Sequence, residues 1–446
     1  MAPSGPGRKA ARTSPETGPG RRLVTPSGPD QARAPLALVL VQIDRIVIVG
    51  GGLAGSRAAA ELRAREYAGE ITMLGAEPHP PYDRPPLSKK LMMGELDSTS
   101  LDTDAAALRL DLRLDEAATG LAARAVRSER GDYRFDRLIV ATGAAPVRLP
   151  GPGRQHVLRT LDDALDIRAR LRQGTRLAIV GAGWIGAELA TAAVTRGCDV
   201  TVLEAAATPA AAALGEAAGA TMVPWYAAAG VDLRLGQPVE SVQEGGLALP
   251  GGGWLEADLI VTAVGVRPCT GWLDGSGVDL GNGIVVDSRL QASVPGVYAA
   301  GDCAAFWSGR YGRRLRVEHW DTALHSPTVA AANALGAEQD YDPVPYFWSE
   351  QFGRMVQYVG HHEREDRLVW RGDPADEHWA ACWVAGPAAP EPAAAQTAGA
   401  GRLVAVLTVG RPRDMLQGRR LMQAGRTVDT ARLADPDVPM RDAAMT

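Results

Sequence analysis

The sequence predicts an α/β protein with two doubly wound, parallel-sheet domains and a smaller C-terminal α/β domain. Two glycine-rich turns carry this prediction: they lie about 130 residues apart and read GGGLAG at 50–55 and GAGWIG at 181–186. Each turn follows a short apolar run and precedes a helix-forming stretch, and a second apolar run that ends near a carboxylate comes next. Because the same order of elements occurs twice, we expect two domains that each begin with a β–turn–α–β unit.

Each unit consists of a strand, a glycine turn, a helix, a second strand and an acid. In the first unit the strands are 45–49 and 71–74, the helix is 56–65 and the acid is Glu77. In the second unit the strands are 177–180 and 200–203, the helix is 187–196 and the acid is Glu204. The first glycine of such a turn permits a tight bend, the second lets a pyrophosphate approach, and the third lets helix and strand pack closely. The phosphates lie at the helix N-terminus, and an acid about 20 residues further on binds a ribose.

Two such units on one chain predict two bound dinucleotides, which is typical of an enzyme that passes reducing equivalents from a nicotinamide to a flavin. The residues that we expect at the first dinucleotide are Gly50, Gly52, Leu53, Ala54, Gly55 and Glu77. Those that we expect at the second are Gly181, Gly183, Trp184, Ile185, Gly186 and Glu204.

Further strands predict how the domains are divided. A strand ends in Ala141-Thr142-Gly143, another at 259–263 leads to Gly265, and a third at 297–300 runs into Gly301-Asp302. In a chain with a flavin turn, a carboxylate such as Asp302 after a strand is placed to accept a ribityl hydroxyl. We therefore expect a discontinuous FAD domain at 43–150 and 279–342, with an NAD domain inserted at 151–278. A C-terminal reductase domain is expected at 343–446.

Two segments have the composition of disordered chain. Residues 1–42 are rich in Pro, Gly, Ser and Arg, and 385–400 are rich in Ala and Pro. We expect a disordered tail and a flexible loop inserted between two strands. The pair Arg21-Arg22 precedes a short apolar stretch at 36–41, but a solvated tail or an overlong start is a better explanation than an export signal.

Composition argues against several classes of function. The net charge of −5 disfavours nucleic-acid binding, and no apolar run reaches the about 18 residues of a membrane span. The four cysteines have no CxxC spacing, so we expect reduced, small buried side chains, a cytoplasmic protein and no metal site. A disulfide reductase needs two thiols beside its flavin, whereas the loop at 85–89 reads PPLSK, so electrons are expected to leave the flavin directly.

Several longer motifs resemble the FAD-dependent NADH:ferredoxin reductases of oxygenase systems, which include putidaredoxin reductase and rubredoxin reductase. The motifs are PYDRPPLSK at 81–89, ATG at 141–143, YAAGDC at 298–303, VEHW at 317–320 and PYFWSEQ at 345–351. The resemblance covers about residues 44–440. It implies two Rossmann-type domains and a small α/β reductase domain. One departure concerns the first ribose acid, which the family often carries one position earlier, where this chain has Ala76.

The resemblance also implies roles for particular residues. Besides the first turn and Glu77, FAD would be bound by Arg84, Lys89, Ala141, Thr142, Gly143, Gly301 and Asp302, with Trp320 near the ring. NADH would contact the second turn, Glu204, Gly265 and Glu188, the last near the nicotinamide carboxamide. Glu318 and Trp348 match positions that line the flavin–nicotinamide site, and His319 is expected to be structural.

Two residue types sharpen these expectations. The chain has only three lysines, and two of them are adjacent, at Lys89 and Lys90. We hypothesise that Lys89 stabilises the reduced, anionic flavin and pairs with a carboxylate, whereas Lys90 is a solvated surface residue. Because Glu204 is followed by three alanines and no arginine, it predicts NADH rather than NADPH.

The functional expectation is hydride transfer from NADH to FAD, followed by single-electron transfers to an iron–sulfur ferredoxin, or to a rubredoxin, that serves an oxygenase or a cytochrome P450. An acidic ferredoxin would suit a local basic patch, for which the candidates are Arg411, Arg413, Arg419 and Arg420, although a solvated basic face explains them equally well. Two alternatives stay open: a reductase of oxygen, peroxide or a quinone, and a redox-dependent binding flavoprotein similar to apoptosis-inducing factor.

Overall fold

The structure is a computed structural model that describes residues 42–101, 103–386 and 399–445. From residue 43 onward the chain forms one compact unit. The expected disordered tail at 1–42 lies, apart from Gln42, outside the described residues, and so do residues 387–398 of the expected flexible loop. Within the described ranges, no helix has both the length and the apolar character needed to cross a bilayer.

The first part of the chain builds a parallel sheet with a small antiparallel sheet beside it. Its elements are β1 (Arg45–Val49), α1 (Leu53–Ala64), β2 (Glu70–Leu74), α2 (Lys90–Met93), β3 (Leu110–Arg113), β4 (Ala118–Ala122), β5 (Ala125–Ser128), β6 (Gly131–Arg134), β7 (Arg137–Val140) and β8 (Ala144–Pro146). Parallel strands follow the order β7-β1-β2-β3, and β4, β5 and β6 form an antiparallel meander.

The next part repeats the arrangement. Its elements are α3 (Leu161–Arg170), β9 (Arg176–Val180), α4 (Trp184–Thr195), β10 (Asp199–Leu203), α5 (Ala211–Ala220), α6 (Val223–Ala228), β11 (Asp232–Arg234), β12 (Ser241–Gln243), β13 (Gly246–Leu249), β14 (Gly253–Glu256), β15 (Leu259–Thr262) and β16 (Val266–Pro268). A parallel sheet has the order β11-β10-β9-β15, β12 to β14 form a second meander, and β16 pairs with β8.

The chain then returns to the first sheet. The elements of this segment are β17 (Leu280–Gly281), β18 (Gly283–Val285), β19 (Val297–Ala299), β20 (Ala304–Ser308), β21 (Arg313–Leu315) and α7 (Trp320–Ala334). Strand β19 pairs in parallel with β7, and α7 packs on α1. The expected two-piece domain therefore has a structural counterpart in this sheet, while its boundary residues stay predictions.

The C-terminal part is an antiparallel sheet with helices. Its elements are β22 (Tyr346–Gln351), β23 (Arg354–Gly360), β24 (Arg367–Arg371), β25 (Trp379–Ala385), β26 (Ala400–Val409), α8 (Pro412–Gln423), β27 (Thr427–Asp429) and α9 (Thr430–Ala434). The strands follow the order β22-β23-β26-β25-β24, with β27 paired to β26. The predicted fold class, two parallel-sheet units and a C-terminal α/β unit, is confirmed.

Burial explains why these segments form parallel strands. Four of the five residues of β1 and of β9 are buried, because each strand has covered faces on both sides. Short runs of Ile, Val and Leu suit that environment, since their burial contributes about 1.5–3 kcal/mol for each large side chain. The same strands end at the glycine turns, so the turns lie at the carboxyl edge of each sheet.

Helices α1 and α4 begin three residues earlier than the predicted starts at 56 and 187. The second glycine of each turn is the residue before the helix, and the first helical hydrogen bonds are Ser56 N to Gly52 O and Ala187 N to Gly183 O, both 3.0 Å. The predictions missed these residues because glycine turns have low helix propensity. As a result, each helix N-terminus reaches into its glycine turn, where free N–H groups favour an anion.

Candidate cofactor site

A cavity of about 890 Å³ lies where all three parts of the chain meet. It is lined by the first glycine turn, which follows β1, by the start of α4, which follows β9, and by residues of β22. The strands β1, β9 and β22 belong to three different sheets. Most of the residues predicted for the site line it: Gly50, Gly52, Leu53, Ala54, Glu77, Arg84, Lys89, Ala141, Thr142, Gly143, Trp184, Ile185, Glu188, Gly301, Asp302, Glu318, Trp320 and Trp348.

The remaining predicted residues do not line this cavity. Gly55 belongs to the first unit and Gly265 follows β15, while the others belong to the second unit: Gly181, Gly183, Gly186 and Glu204. Glu204 follows β10, and its carboxylate accepts hydrogen bonds from the backbone N–H groups of Ala182 and Ala206, each 2.8 Å. It therefore lies against the second glycine turn, which is the position that a ribose-binding acid requires.

The two turns use their first and third glycines in the same way. Gly50 has φ +123°, and a Cβ there would lie 2.1 Å from the carbonyl oxygen of Ala141, while Gly181 has φ +106° and a Cβ there would lie 2.4 Å from that of Ala263. A Cβ on Gly55 or Gly186 would meet the carbonyl oxygen of the first glycine at 1.9 or 2.0 Å. These positions exclude side chains because the helix and the strand are packed backbone to backbone.

The second glycines are different, because space is open in front of them. A Cβ on Gly183 would meet no atom within 4 Å, and one on Gly52 would only touch the end of Arg84 at 4.0 Å. Packing of the protein therefore does not require glycine at these two positions. An open face at a helix N-terminus fits a pyrophosphate, so both turns fit a dinucleotide.

Glu77 is tied to the loop that follows it. Its carboxylate accepts hydrogen bonds from the Tyr82 hydroxyl at 2.5 Å and from Arg84 Nη2 at 2.7 Å. Arg84 also donates to the Arg159 carbonyl oxygen at 2.5 Å, and the N–H of Leu161 donates to the Tyr82 hydroxyl at 3.0 Å. This network fixes the acid at the edge of the cavity, although the sequence assigned no role to Tyr82.

A buried carboxylate joins the three parts of the chain. Glu188, on α4, is 3% exposed, and its carboxylate accepts a hydrogen bond from Lys89 Nζ at 2.8 Å and a short one from the Ser88 hydroxyl. Its other oxygen accepts a hydrogen bond from the Ser349 hydroxyl, on β22, at 2.6 Å. The expected carboxylate partner of Lys89 is therefore Glu188, which sequence analysis had placed separately at the nicotinamide.

Asp302 also has a cationic partner that the sequence did not identify. Arg159 Nη2 donates to Asp302 Oδ2 at 2.8 Å, and both residues line the cavity. The two residues are 143 positions apart, and Arg159 lies outside all five family motifs. Arg159 thus offsets the charge of the Asp302 carboxylate in a site in which anionic phosphates are expected.

Aromatic side chains form part of the cavity wall. Trp320, the first residue of α7, meets Trp348 edge to face with ring centroids 5.7 Å apart. Trp184, the first residue of α4, meets Phe347 at 4.6 Å. These rings give the site an apolar side, which suits a flat ring system.

Glu318 and His319 differ in their electrostatics. Burial raises the pKa of Glu318, although the adjacent Arg316, which donates a hydrogen bond to it, opposes that change. Burial lowers the pKa of His319 to about 4, so the imidazole is neutral at physiological pH. Its Nδ1 has no hydrogen-bond partner among the described residues, and its ring packs against Phe347 at 4.7 Å.

The cysteines depart from the expectation in one respect. Cys198, Cys303 and Cys382 are buried, as expected, but Cys269 is partly exposed and lines the cavity. The prediction of four buried side chains was wrong for Cys269, because it lies in the loop after β16 and not in a core element. Burial raises its pKa, so the thiol stays protonated, and all four cysteines are free.

The four arginines proposed as a docking patch do not form one exposed group. Arg411 is paired with Asp414 at 2.6 Å, and Arg419 is paired with Asp321 at 3.4 Å and lies over the ring of Tyr346. Only Arg413 and Arg420 of this set are exposed. Tertiary contacts engage two of these four cations, so the candidates left for docking are Arg413 and Arg420.

Comparisons with known proteins cover most of the chain. Residues 44–326 match the family described as pyridine nucleotide-disulphide oxidoreductase, and residues 346–444 match the family described as reductase C-terminal. The ferredoxin–NAD(+) reductase component of the anthranilate 1,2-dioxygenase system of Burkholderia cepacia is 35% identical over 415 residues, which is 89% of this chain and 98% of that protein.

Solved structures give the same picture. The crystal structure of a protein named Fdr9 is 49% identical, with a TM-score of 0.83, over 90% of this chain and all of the other chain. The reductase of the covalent putidaredoxin reductase–putidaredoxin complex is 30% identical, with a TM-score of 0.82, over 90% of this chain and 98% of that chain.

Proposed function

Because this chain belongs to the pyridine nucleotide-disulphide oxidoreductases, and to the branch of ferredoxin–NAD(+) reductases among them, we propose that it passes electrons from NADH, through FAD, singly to a [2Fe–2S] ferredoxin. The enzyme is an oxidoreductase whose cofactors are FAD and NADH. We further propose that the ferredoxin, or a rubredoxin in its place, serves a monooxygenase, a ring dioxygenase or a cytochrome P450.

One observation carries the proposal: the buried Lys89–Glu188 pair connects the loop after the first glycine turn with the helix of the second. If FAD lies on the first turn and NADH on the second, their reactive rings meet at this pair. Side chains 11% and 3% exposed are shielded from solvent there, so their charges act with little screening. A site of this kind favours transfer of a hydride over its loss to water.

The residues would divide the work as follows. The N–H groups of the two helix N-termini hold the pyrophosphates, and Glu77 and Glu204 hold the ribose hydroxyls. Arg159 would offset the charge of Asp302, Glu188 would orient the carboxamide, and Trp320 and Trp348 would exclude water. When bound, FAD supplies the conversion of a two-electron donor into two single electrons.

The cysteines support an acceptor that docks on the surface. All four are free, and Cys269 is the one that lines the described cavity. A disulfide relay needs two thiols at the flavin, so electrons would leave this site without sulfur. Several related proteins are named as reductase components of dioxygenase systems, and another is putidaredoxin reductase, which supports a ferredoxin as the proposed acceptor.

The proposal is tested by NADH-dependent reduction of cytochrome c with and without a purified [2Fe–2S] ferredoxin. We expect rapid reduction only when the ferredoxin is present. Oxidation of NADH that does not respond to ferredoxin would favour the oxidase or quinone-reductase alternative. A slow, long-lived complex of reduced flavin and NAD(+) with ligand-dependent dimerisation would favour the binding flavoprotein.

Glu204 is expected to set the preference for NADH. Its carboxylate would repel a 2′-phosphate, and like charges brought together cost several kcal/mol, so kcat/KM for NADH should exceed that for NADPH by about 100-fold. Glu204→Gln should reduce this ratio to below about tenfold, mainly through KM. Glu244→Gln, at an exposed position of the same part of the chain, is the control. Comparable kcat/KM values for NADH and NADPH in the unchanged protein would overturn the assignment.

The two exposed arginines of α8 are expected to assist docking. The double change Arg413→Glu and Arg420→Glu should lower ferredoxin-dependent cytochrome c reduction by about tenfold at low salt and leave reduction of a small dye unchanged. The difference should shrink as ionic strength rises, because salt screens exposed charges. The double change Arg127→Glu and Arg134→Glu, at exposed positions of β5 and β6, is a control of equal charge change. Equal losses for both proteins would remove α8 from the docking surface.

A further inference from the structure

A carboxylate of the PYDRPPLSK loop holds the indole of a tryptophan that is far away in the chain. Trp320 Nε1 donates a hydrogen bond to Asp83 Oδ1 at 2.7 Å, across 237 positions of sequence. The backbone of Asp83 is itself fixed, because its N–H donates to the Thr99 carbonyl oxygen at 2.7 Å. The acceptor therefore lies on a rigid support.

The indole of Trp320 also meets the C-terminal sheet. Trp348, on β22, lies edge to face with Trp320 at an interplanar angle of 81°. Trp320 is the first residue of α7, so no preceding helical turn restricts its side chain. Asp83 and Trp348 therefore both restrain its orientation, and all three residues line the cavity.

Other roles for Asp83 fit the contacts less well. It is not the main counter-ion of Lys89, because that ammonium is already paired with Glu188 at 2.8 Å. Burial raises the pKa of Asp83, and the hydrogen bond from Trp320 opposes that effect. A carboxylate is costly in such surroundings, and its shortest side-chain contact is the indole N–H, which a carboxylate binds more strongly than a neutral acceptor does.

We propose that Asp83 is a positioning residue that fixes the Trp320 indole as a wall of the flavin site. The inference rests on the proposed placement of FAD in this cavity. With Asp83 in place, the indole keeps one rotamer beside the ring and water is excluded along that side. Without it, the indole is free to turn toward solvent, and the site is less well organised for hydride transfer.

The first test needs no cofactor. Hydrogen exchange of the Trp320 indole N–H is measured by NMR in the FAD-free protein, and Trp320→Phe assigns the signal. We expect exchange at least about tenfold faster in Asp83→Ala than in the unchanged protein, whereas Asp83→Asn, which keeps an acceptor oxygen, should retain most of the protection. Unchanged protection in Asp83→Ala would overturn the proposal.

The second test uses the FAD-loaded protein. Asp83→Ala should slow flavin reduction by NADH by about tenfold, Trp320→Phe should slow it by a similar factor, and the double variant should be no slower than either. Full additivity in the double variant would mean that Asp83 acts independently of Trp320 and would overturn the proposal. If Asp83→Ala does not fold, Trp320→Phe is compared with Asp83→Asn. The proposal then requires a slower rate of flavin reduction in Trp320→Phe and a nearly unchanged rate in Asp83→Asn, and any other result would overturn it.

These tests separate the inference from the proposed function. Failure of the unchanged protein to be reduced by NADH would contradict the function, while the exchange experiment on the FAD-free protein would still report on the Asp83–Trp320 contact. Normal reduction of the unchanged protein together with a normal rate in Asp83→Ala would contradict the inference alone.

Discussion

Lys89→Met is expected to slow reduction of the bound flavin by NADH by at least about 100-fold, with FAD still bound. The change removes the cation at the proposed meeting point of the two rings and leaves Glu188 as an unpaired, buried carboxylate. Removing one partner of a buried ion pair costs about 3–5 kcal/mol of folding stability. The expected loss in rate has a separate cause, the missing cation beside the reacting groups, and 100-fold corresponds to about 2.7 kcal/mol in the barrier. Stopped-flow absorbance of the flavin under anaerobic conditions measures the rate directly.

Lys90→Met is the matched control, because it makes the same chemical change at the next residue, which is exposed. We expect a rate within about twofold of the unchanged protein, since surface substitutions of this kind have small effects. The double change Lys89→Met and Glu188→Gln should melt at a higher temperature than Lys89→Met, because it removes the unpaired buried charge. A normal rate of flavin reduction in Lys89→Met would refute the role of the pair.

Gly50→Ala is expected to yield protein that purifies without FAD. Gly50 has φ +123°, and an added Cβ would lie 2.1 Å from the carbonyl oxygen of Ala141. An L-residue at positive φ costs roughly 1–2 kcal/mol before this overlap is counted, and the overlap can only be relieved by moving β1 and β7 apart. The FAD content of the purified protein, read from its visible absorbance, measures the effect.

Gly183→Ala is the matched control, because it adds the same methyl group to the second turn, where no atom lies within 4 Å. That variant should fold and retain FAD, while its KM for NADH should rise by about tenfold or more, since the methyl group occupies the space expected for the pyrophosphate. A fully FAD-loaded Gly50→Ala protein would contradict the steric argument.

The features of the fold that depend on residues close together in the sequence could be predicted from the sequence alone. The glycines at 50–55 and 181–186 mark places where backbones touch or where space stays open, and both requirements act within a few residues of the glycine itself. The strands flanking them are runs of Ile, Val and Leu, which report burial without reference to distant partners. The distances of Glu77 and Glu204 from the turns are equally local, and the structure places Glu77 at the cavity and Glu204 against the second turn, while their ribose-binding role stays a prediction.

The partners of individual side chains could not be predicted in this way. Sequence analysis assigned Lys89 and Glu188 to the site separately, but only the folded chain places them 2.8 Å apart with Ser349 on the other oxygen. No neighbouring residue in the sequence indicates that Arg159 lies in the site. The sequence likewise does not show that Arg411 and Arg419 are paired with acidic side chains.

The sequence by itself therefore determined that this protein has two dinucleotide turns, a parallel-sheet core and a flavin loop without paired cysteines. The tertiary structure alone decided which charges neutralise one another, which of the arginines remain exposed and that Asp83 meets Trp320. The physical reason is the sequence separation of the interacting residues. Backbone conformation and burial periodicity depend on near neighbours in the chain. Ion pairs and buried hydrogen bonds, in contrast, often join residues that are 100 or more positions apart.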